Sequence, residues 1–573
     1  MPQRSLLTLT KSEVESDGAI VATMHPRASE VAAEILRRGG NAVDAAVAAG
    51  FAIGVVEPFN SGLGGIAQLV VREGKTGATA AIDGTSTLPR TLDPAAYRLA
   101  AGGTAGMYGW PAVEGDANNT GYRAAAVPGT PGCLVEAHRR FGRLPLDEVM
   151  AGAIGLAEDG FDLDWYPALI IAAQQQRLWA YPGTRAAYYR GDGSCHVPAL
   201  FTASADRFIQ RDLAASLRRI AAEGHDGFYR GATARLLAEG MRENGGFIDE
   251  DELAAYRVRV WEPGLIGSYR GYETIQAPQN TGAPTALQAL RILEGFDLGA
   301  AGWGTARALH LLAETFRRVF QDRFAHLADP AFASVPLTGL VCPGYAERRR
   351  ADIDPERATP TVGPGDPWPF DIGPGVAVPS SRQGGGEGNT THIVVADRDR
   401  TLVSLTSTLG GFFGSAVVVP GLGFPLNNGL TWFDPRPGTV NAIAPGKRIL
   451  WAGTPTILAR DGRPFLAVGA PGARRIMSAV VQVVANIIDH GMGPQEAVSR
   501  PRVHCEGPDT VIDSRFGEET IARLREMGHR LYVKVEDLGT SNFARPLAIL
   551  VDPATGRLRA GVHVYNPATA IGL

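Results

Sequence analysis

Alternation of apolar and polar residues is clearest near the middle of the chain. Residues 390–397 and 402–408 each alternate β-branched with polar positions, a pattern typical of strands. The short polar stretch between them suits a hairpin loop. If the turn is centred on Asp399, Thr390 and Thr408 are cross-strand partners with Cβ atoms roughly 5 Å apart. The pattern therefore predicts a hairpin with two hydroxyls facing each other at its open end.

Before this hairpin the apolar spacing is mainly helical. Helices are predicted from near Ser29 to the glycine pair 39–40, at 41–55 with Asn41 as the cap, and over 146–158, 207–222, 231–243, 284–293 and 305–327. Short strands are predicted at 19–23, 68–71 and 268–276. The arginine clusters 317–318 and 348–350 are expected on solvated helix faces.

After the hairpin the pattern favours strands and one further helix. Strands are predicted at 416–419, 455–459 and 464–469, followed by a helix from Arg474 to about Asp489. Gly472 then lies at a helix N-terminus, where backbone N–H groups lack partners and can bind an anion such as a tetrahedral intermediate. A Gly-Ala pair before a helix is otherwise only a turn.

Length and charge limit the function classes. At 573 residues the chain exceeds the usual size of one core, so we expect several compact units or two interlocked segments. A net charge of −4 with 20% charged residues gives no reason to expect nucleic acid or an acidic membrane surface as a partner. The glycine-rich loop 61–65 leads into a strand rather than a helix, so we reject a nucleotide cofactor there and expect no cofactor at all.

The N-terminus predicts a cytoplasmic location, and the cysteines indicate neither a disulfide framework nor a metal site. The chain has four cysteines, which are too few for a disulfide framework: Cys133, Cys195, Cys342 and Cys505. His504 beside Cys505 has no second spaced pair, so free thiols are expected rather than a metal site. The first residues lack the apolar core of an export signal, and no later run is long enough to span a bilayer.

A glycine-rich connector over 363–388 ends directly before Asn389 and Thr390. A threonine hydroxyl is a weak nucleophile unless a base takes its proton, and cleavage before the threonine would free its α-amine as that base. The pattern thus leaves two alternatives. Thr390 is a nucleophile, or the two threonines simply decorate an exposed hairpin.

Longer motifs decide between these alternatives. They run almost end to end, at residues 25–29, 39–46, 56–58, 61–65, 127–131, 390–392, 425–428 and 469–473. With them the chain resembles the gamma-glutamyltransferase family of N-terminal-nucleophile hydrolases.

The resemblance implies an α/β fold, a four-layer α/β/β/α sandwich with two antiparallel sheets. It also implies self-cleavage after Asn389 into segments 1–389 and 390–573, both contributing strands to each sheet. Thr390 would be the nucleophile and, through its freed amine, the base. Thr408 would orient its hydroxyl, and the N–H groups of Gly472 and Ala473 would hold the oxyanion.

Several positions depart from the family's glutamyl-binding pattern. Where the family has an arginine this chain has Thr85, and where it has an asparagine this chain has Gly410. The family's glutamine and acidic residue are replaced by Gly429 and Trp432, and its serine pair is replaced by Trp451-Ala452. Each charge of a glutamyl group would need a matching partner, so their joint loss indicates another acyl group.

We therefore expect a non-glutamyl amide substrate. Phe412, Phe413 and the two tryptophans would wall an apolar or planar pocket, and Arg474 would take a small carboxylate. This is similar to the amidohydrolase branches of the family, which include oxamate and cephalosporin-side-chain acylases. The segment between Trp432 and Lys447 is also shorter than the family's lid, which favours water as acyl acceptor.

Two other functions stay open from the sequence. One is a true gamma-glutamyltransferase or glutathione hydrolase, and the other is an uncleaved homologue that acts as a binding protein. The expected partners are a small-molecule amide and the two segments of the same chain, with a homodimer also left open.

Overall fold

The computed structural model describes residues 9–106, 108–373, 388–538, 540 and 542–573. In chain order, the strands of this part are β1 (Val14–Ser16), β2 (Ile20–Thr23), β3 (Ile66–Arg72), β4 (Thr79–Gly84), β5 (Leu99–Ala105), β6 (Trp110–Val113), β7 (Phe161–Asp162), β8 (Arg207–Phe208), β9 (Arg259–Trp261), β10 (Leu265–Tyr269), β11 (Tyr272–Gln276), β12 (Asn389–Ala396), β13 (Leu402–Gly410), β14 (Thr456–Arg460), β15 (Arg463–Gly469), β16 (Val503–Cys505), β17 (Asp509–Asp513), β18 (Arg530–Lys534), β19 (Leu547–Val551), β20 (Leu558–Val562) and β21 (Thr569–Gly572).

The α-helices of the same part are α1 (Pro26–Arg37), α2 (Ala42–Val56), α3 (Thr130–Phe141), α4 (Leu146–Glu158), α5 (Trp165–Ala173), α6 (Gln175–Leu178), α7 (Pro182–Tyr188), α8 (Arg211–Glu223), α9 (Asp226–Tyr229), α10 (Gly231–Glu243), α11 (Glu250–Ala255), α12 (Ala283–Leu293), α13 (Leu298–Ala301), α14 (Ala306–His326), α15 (Leu337–Leu340), α16 (Pro343–Ala351), α17 (Arg475–Ile488), α18 (Pro494–Ser499) and α19 (Glu518–Glu526).

Two seven-stranded sheets form the centre of the molecule. Sheet A has the order β1-β20-β19-β15-β14-β11-β10, and sheet B has the order β21-β2-β12-β13-β3-β4-β9. All neighbouring strands in both sheets are antiparallel. Both sheets contain strands from before and from after residue 389.

The sheets face each other, and helices cover their outer faces. Strands β12 and β13 of sheet B pack on β15 of sheet A. Helices α1, α2 and α3 cover sheet B, whereas α12, α17 and α18 cover sheet A. Because each sheet has one apolar face toward the other sheet and one toward helices, its central strands are buried almost throughout. The predicted four-layer α/β/β/α sandwich is therefore confirmed.

The local signals in the sequence explain helix α2. The side chain of Asn41 accepts hydrogen bonds from the N–H groups of Val43 and Asp44, and the Asp44 side chain accepts one from the Asn41 N–H. This capping box satisfies free backbone donors at the helix start. Small residues then allow close packing, since a Cβ atom on Gly54 would lie 2.8 Å from the Gly62 Cα.

Several predicted elements differ from the structure. Helix α1 is capped by His25 rather than near Ser29, because the His25 side chain accepts from the Arg27 N–H. The predicted strand 268–276 is a hairpin, with Arg270 at φ +52° in its turn. The predicted helix 207–222 begins only at Arg211, after strand β8.

Residues 416–419 do not form a strand. Ala416 has φ +67°, which breaks the extended backbone, and Val418 makes only an isolated bridge to Pro425. The short apolar run therefore predicts a strand, whereas in the structure tertiary contacts bury an irregular segment there.

Arg317, Arg318 and Arg349 are buried, so the prediction of solvated faces was wrong for these three clustered arginines, whereas Arg348 is exposed as expected. Arg317 and Arg318 both pair with Glu314 at 2.7 Å, and Arg349 pairs with Asp322 at 3.2 Å. Together these pairs fix the start of the connector, since the Gly365 N–H donates to Asp322 at 2.7 Å. The connector is thus held by charges at its start, and its residues 374–387 lie outside the described part.

The four cysteines are free thiols, as expected. Within the described ranges no helix is long and apolar enough to cross a membrane.

Candidate active site

The hairpin predicted from the sequence carries the candidate nucleophile at its open end. Thr391 pairs with Ser407, in the predicted register, but Asn389 pairs with Gly410. The extra residue is on β13, where Thr408 and Leu409 together lie opposite Thr390 in a β-bulge, so Thr390 has no direct cross-strand pair. A bulge redirects a side chain, and here the Thr390 Oγ1 lies 3.3 Å from the Thr408 Oγ1.

Thr408 connects the two sides of the bond between Asn389 and Thr390. Its Oγ1 accepts from the Gly410 N–H at 2.9 Å and from the Thr390 hydroxyl. Its own proton is donated to the carbonyl oxygen of Asn389. Thr390 is 3% exposed and Thr408 is 1% exposed, so this row of hydrogen bonds is shielded from solvent in the continuous chain.

His392 contacts the strand that leads to the predicted oxyanion turn, Gly472 and Ala473, and so brings this turn to the same end of the sandwich. Its Nδ1 lies 2.9 Å from the Thr406 Oγ1, and a Cβ atom on Gly469 would lie 2.1 Å from its ring. Burial lowers the pKa of His392 to about 3, so the ring is neutral. Because Gly469 ends strand β15, the residues that follow it leave the sheet near the start of β12.

Gly472 and Ala473 form this turn with left-handed backbones, at φ +141° and +52°. Helix α17 begins at Arg475, so both residues precede the helix instead of forming its N-terminus as predicted. Neither N–H group has a hydrogen-bond partner within the described part of the chain. Two adjacent unpaired amides suit a developing oxyanion.

The turn packs against the two tryptophans that replace family residues. Trp432 and Trp451 are each 2% exposed and share an apolar cluster with Tyr108 and Ala473. Trp432 also reaches the strand end, since a Cβ atom on Gly410 would lie 3.1 Å from its ring and closer still to the Asn428 side chain.

Other predicted site residues lie elsewhere. Phe412 and Phe413 pack on Phe59, in a different apolar cluster from the tryptophans, and Phe413 is fully buried. The Thr85 hydroxyl donates to Asp83, and Ala452 packs with sheet A and α17. The structure therefore does not bring these four residues to one pocket wall.

Arg474 is already paired. Its Nε and Nη2 contact Glu506 at 2.8 and 2.7 Å, and its guanidinium lies 4.5 Å from the Tyr108 ring. Burial opposes ionisation of Glu506, but Arg474 and His504 outweigh it and lower the pKa of Glu506 to about 2. The expectation that Arg474 takes a substrate carboxylate is corrected accordingly, since Glu506 neutralises its charge.

Tyr108, Asn428 and Glu506 contribute to this region without having been predicted as site residues. Asn428 binds the Gly411 N–H through its Oδ1 at 3.0 Å. It stands in the 425–428 motif, which could have indicated it. Tyr108 and Glu506 lie in stretches without a motif, so only their contacts in the folded chain identify them.

The fold and this site define an N-terminal-nucleophile amide hydrolase. A family model described as gamma-glutamyltranspeptidase matches residues 28–564. The chain belongs to the gamma-glutamyltranspeptidase family.

Individual relatives cover nearly the whole chain. The Acylase ACY 1 proenzyme of Pseudomonas sp. (strain SE83) is 39% identical over 535 residues, 93% of this chain and 90% of that protein. The glutathione hydrolase proenzyme of Bacillus subtilis (strain 168) is 34% identical over 578 residues, 100% of this chain and 94% of that protein. The crystal structure of cephalosporin acylase from Bacillus halodurans aligns with a TM-score of 0.86 and 27% identity, covering 100% of this chain and 99% of that one.

Proposed function

We propose that the chain cleaves itself between Asn389 and Thr390 and then hydrolyses a non-glutamyl acyl amide with Thr390 as the nucleophile. The observation that carries the proposal is the hydrogen-bonded row from the Thr390 hydroxyl through Thr408 to the Asn389 carbonyl oxygen. Both relatives named above are called proenzymes, which agrees with cleavage.

In the cleavage step the Thr390 Oγ attacks the carbonyl carbon of Asn389. The Thr390 nitrogen leaves as the amine, which gives an ester between Asn389 and the Thr390 Oγ. Water then hydrolyses this ester to a carboxylate on Asn389 and a free hydroxyl and amine on Thr390. Thr408 donates to the oxygen on which negative charge develops, so it stabilises the tetrahedral state.

In the mature enzyme the freed amine accepts the Thr390 hydroxyl proton during attack on the substrate amide. Thr408 orients that hydroxyl, and the amides of Gly472 and Ala473 bind the oxyanion. The amine product leaves first, and water then releases the acid from the acyl ester.

Purified protein tests the cleavage directly. We expect two bands of segments 1–389 and 390–573 on denaturing gels, with Thr390 as the N-terminal residue of the smaller one. Thr390→Ala should give one full-length band and no turnover, whereas Thr391→Ala serves as the matched control. A full-length wild-type band that persists on incubation would contradict the proposal.

The proposed acyl group is apolar or planar rather than glutamyl. The space beyond Gly410 is filled by Trp432 and the Asn428 side chain, so a polar side chain at position 410 has no room. Trp432, Trp451 and Tyr108 surround Ala473 of the oxyanion turn with apolar surface. A glutamyl group would leave its charges there without partners.

A substrate panel tests this specificity. Gamma-glutamyl-p-nitroanilide is compared with small aliphatic, aryl-acyl and carboxy-acyl amides, using Thr390→Ala as the background. We expect the largest kcat/KM for an apolar or planar acyl group. Efficient Thr390-dependent turnover of the gamma-glutamyl compound would instead support a second candidate, a glutathione hydrolase, which the relative from Bacillus subtilis favours.

A function as an uncleaved binding protein remains the alternative of another class. It would be supported if wild type and Thr390→Ala both gave one full-length band and no turnover in the substrate panel.

A further inference from the structure

A buried arginine, Arg545, lies behind the oxyanion turn, outside the hydrogen-bonded row at Thr390. Its backbone N–H donates to the carbonyl oxygen of Pro471, the residue before Gly472, at 2.9 Å. The preceding residue, Ala544, supports the turn itself, because a Cβ atom on Gly472 would lie 2.7 Å from the Ala544 Cα. The turn therefore rests on residues 544 and 545.

The Arg545 side chain extends in another direction, to the large segment. Its Nη1 donates to the hydroxyl of Tyr166 in helix α5. Both side chains are buried, and the described residues provide no partner for the Arg545 Nε and Nη2. The carboxyl groups of Glu57 and Glu536 lie near enough to affect its ionisation, yet neither forms an ion pair with it.

Tyr166 continues the connection to the nucleophile. Its ring packs edge-on against Phe59, with centroids 5.6 Å apart. The next residue, Asn60, accepts through its carbonyl oxygen from the N–H of Leu409 at 3.0 Å. Leu409 directly follows Thr408, so the contacts run from the oxyanion turn to the strand end that orients Thr390.

We propose that Arg545 is a positioning residue that fixes the oxyanion turn relative to Thr390 and Thr408. The Arg545 side chain binds Tyr166 while its backbone N–H holds the Pro471 carbonyl oxygen, so this one residue links the oxyanion turn to helix α5. Oxyanion donors act only when held at the place where charge develops. The inference rests on the proposed function, because it assumes acyl transfer at Thr390.

Arg545→Lys tests this inference, because lysine keeps the charge but loses the planar fork that reaches Tyr166. We expect kcat to fall about 10- to 100-fold with KM within about twofold of wild type, since a small misplacement of the turn weakens only the transition state. The affinity for a boronic acid analogue of the best amide substrate should fall by the same factor as kcat/KM. Arg523→Lys is the matched control, because Arg523 is exposed and pairs only with Glu526 in the described part.

A second variant covers the case in which Arg545→Lys gives no folded protein. Tyr166→Phe removes the hydroxyl and retains the ring on Phe59, and it should lower kcat in the same KM-independent way, by a smaller factor. Arg545→Lys should also cleave itself at the wild-type rate, since the proposed cleavage does not use the turn amides.

Three results would overturn the inference. They are wild-type kcat in the variants, a change confined to KM, and an uncleaved but folded Arg545→Lys. Failure of the proposed function is distinguishable from these, because the wild type would then stay uncleaved or Thr390→Ala would still cleave or turn over substrate.

Discussion

At the scale of single residues, the hydrogen bonds of the Thr408 hydroxyl define the geometry beside Thr390. Thr408 accepts two hydrogen bonds and donates its one proton to the Asn389 carbonyl oxygen. A hydroxyl that accepts twice and donates once is held in one orientation. In the proposed cleavage, Thr408 is therefore already placed to stabilise charge on the Asn389 carbonyl oxygen.

Replacing Thr408 tests this orientation. Thr408→Val keeps the shape but removes the donor, so we expect self-cleavage to slow by roughly 10²- to 10³-fold, as for the loss of one oxyanion donor. Thr408→Ser should retain most of the rate. Gel electrophoresis at intervals after cell-free synthesis measures both, and cleavage of the valine variant at the wild-type rate would exclude the role.

Glu57 gives a prediction for pH. Burial raises the pKa of Glu57 to about 7, while His25, Asn60 and Arg545 partly oppose the rise. The folded chain then binds more protons than the unfolded chain between the two pKa values, so the contribution of Glu57 to stability is present at low pH and is lost as the pH rises through 7.

Glu57→Gln should therefore gain stability relative to wild type on going from pH 5 to pH 8, by on the order of 2 kcal/mol. Denaturant unfolding of both proteins at the two pH values measures this difference. A gap that is constant, or that changes in the opposite direction, would contradict the assignment.

At the scale of elements, helices and strands place the site by their ends. Strand β12 begins at the proposed cleavage bond, and β15 ends shortly before the proposed oxyanion turn. Helix α2 lies against β12 on the outer face of sheet B. The capping box of α2 is expected to stabilise the fold rather than to affect the site. It lies at the end of β12 that is far from Thr390, and there the Ala42 N–H donates to Asp397 at 3.0 Å.

Asn41→Ala should separate stability from chemistry. Removing the cap should lower the free energy of unfolding by about 1 kcal/mol and leave kcat and the cleavage rate unchanged. Thermal unfolding and a turnover assay on the same preparation check the two parts. A large fall in kcat would show that the start of α2 affects the site.

At the scale of the whole molecule, the two proposed segments are interlocked. Cutting after Asn389 leaves pairs of strands from different segments in both sheets, including β2 with β12 and β11 with β14. Separation would expose these unpaired backbone groups and the buried faces between the sheets.

We therefore expect the two segments to co-elute from a sizing column in native buffer and to separate only in denaturant. Elution of either segment alone without denaturant would contradict this, whereas a column run in urea provides the control.

The sequence by itself determined the hairpin, the two-sheet fold and the candidate nucleophile, Thr390. Alternation fixed β12 and β13, Asn41 fixed the start of α2, and the long motifs carried the family and with it the fold. These are local or collinear signals, which do not depend on distant contacts.

The tertiary structure decided what those signals could not. The bulge of β13 opposite Thr390 arises from pairing across the hairpin end, and the irregular backbone at Ala416 is buried by its surroundings. Arg474 could be read as a substrate ligand until Glu506, distant in sequence, was found beside it. Arg317, Arg318 and Arg349 have the pattern of a solvated face, yet they are buried with acidic partners. The physical reason is that a charge's partner and a segment's burial are set by contacts between distant parts of the chain, which a pattern along it does not contain.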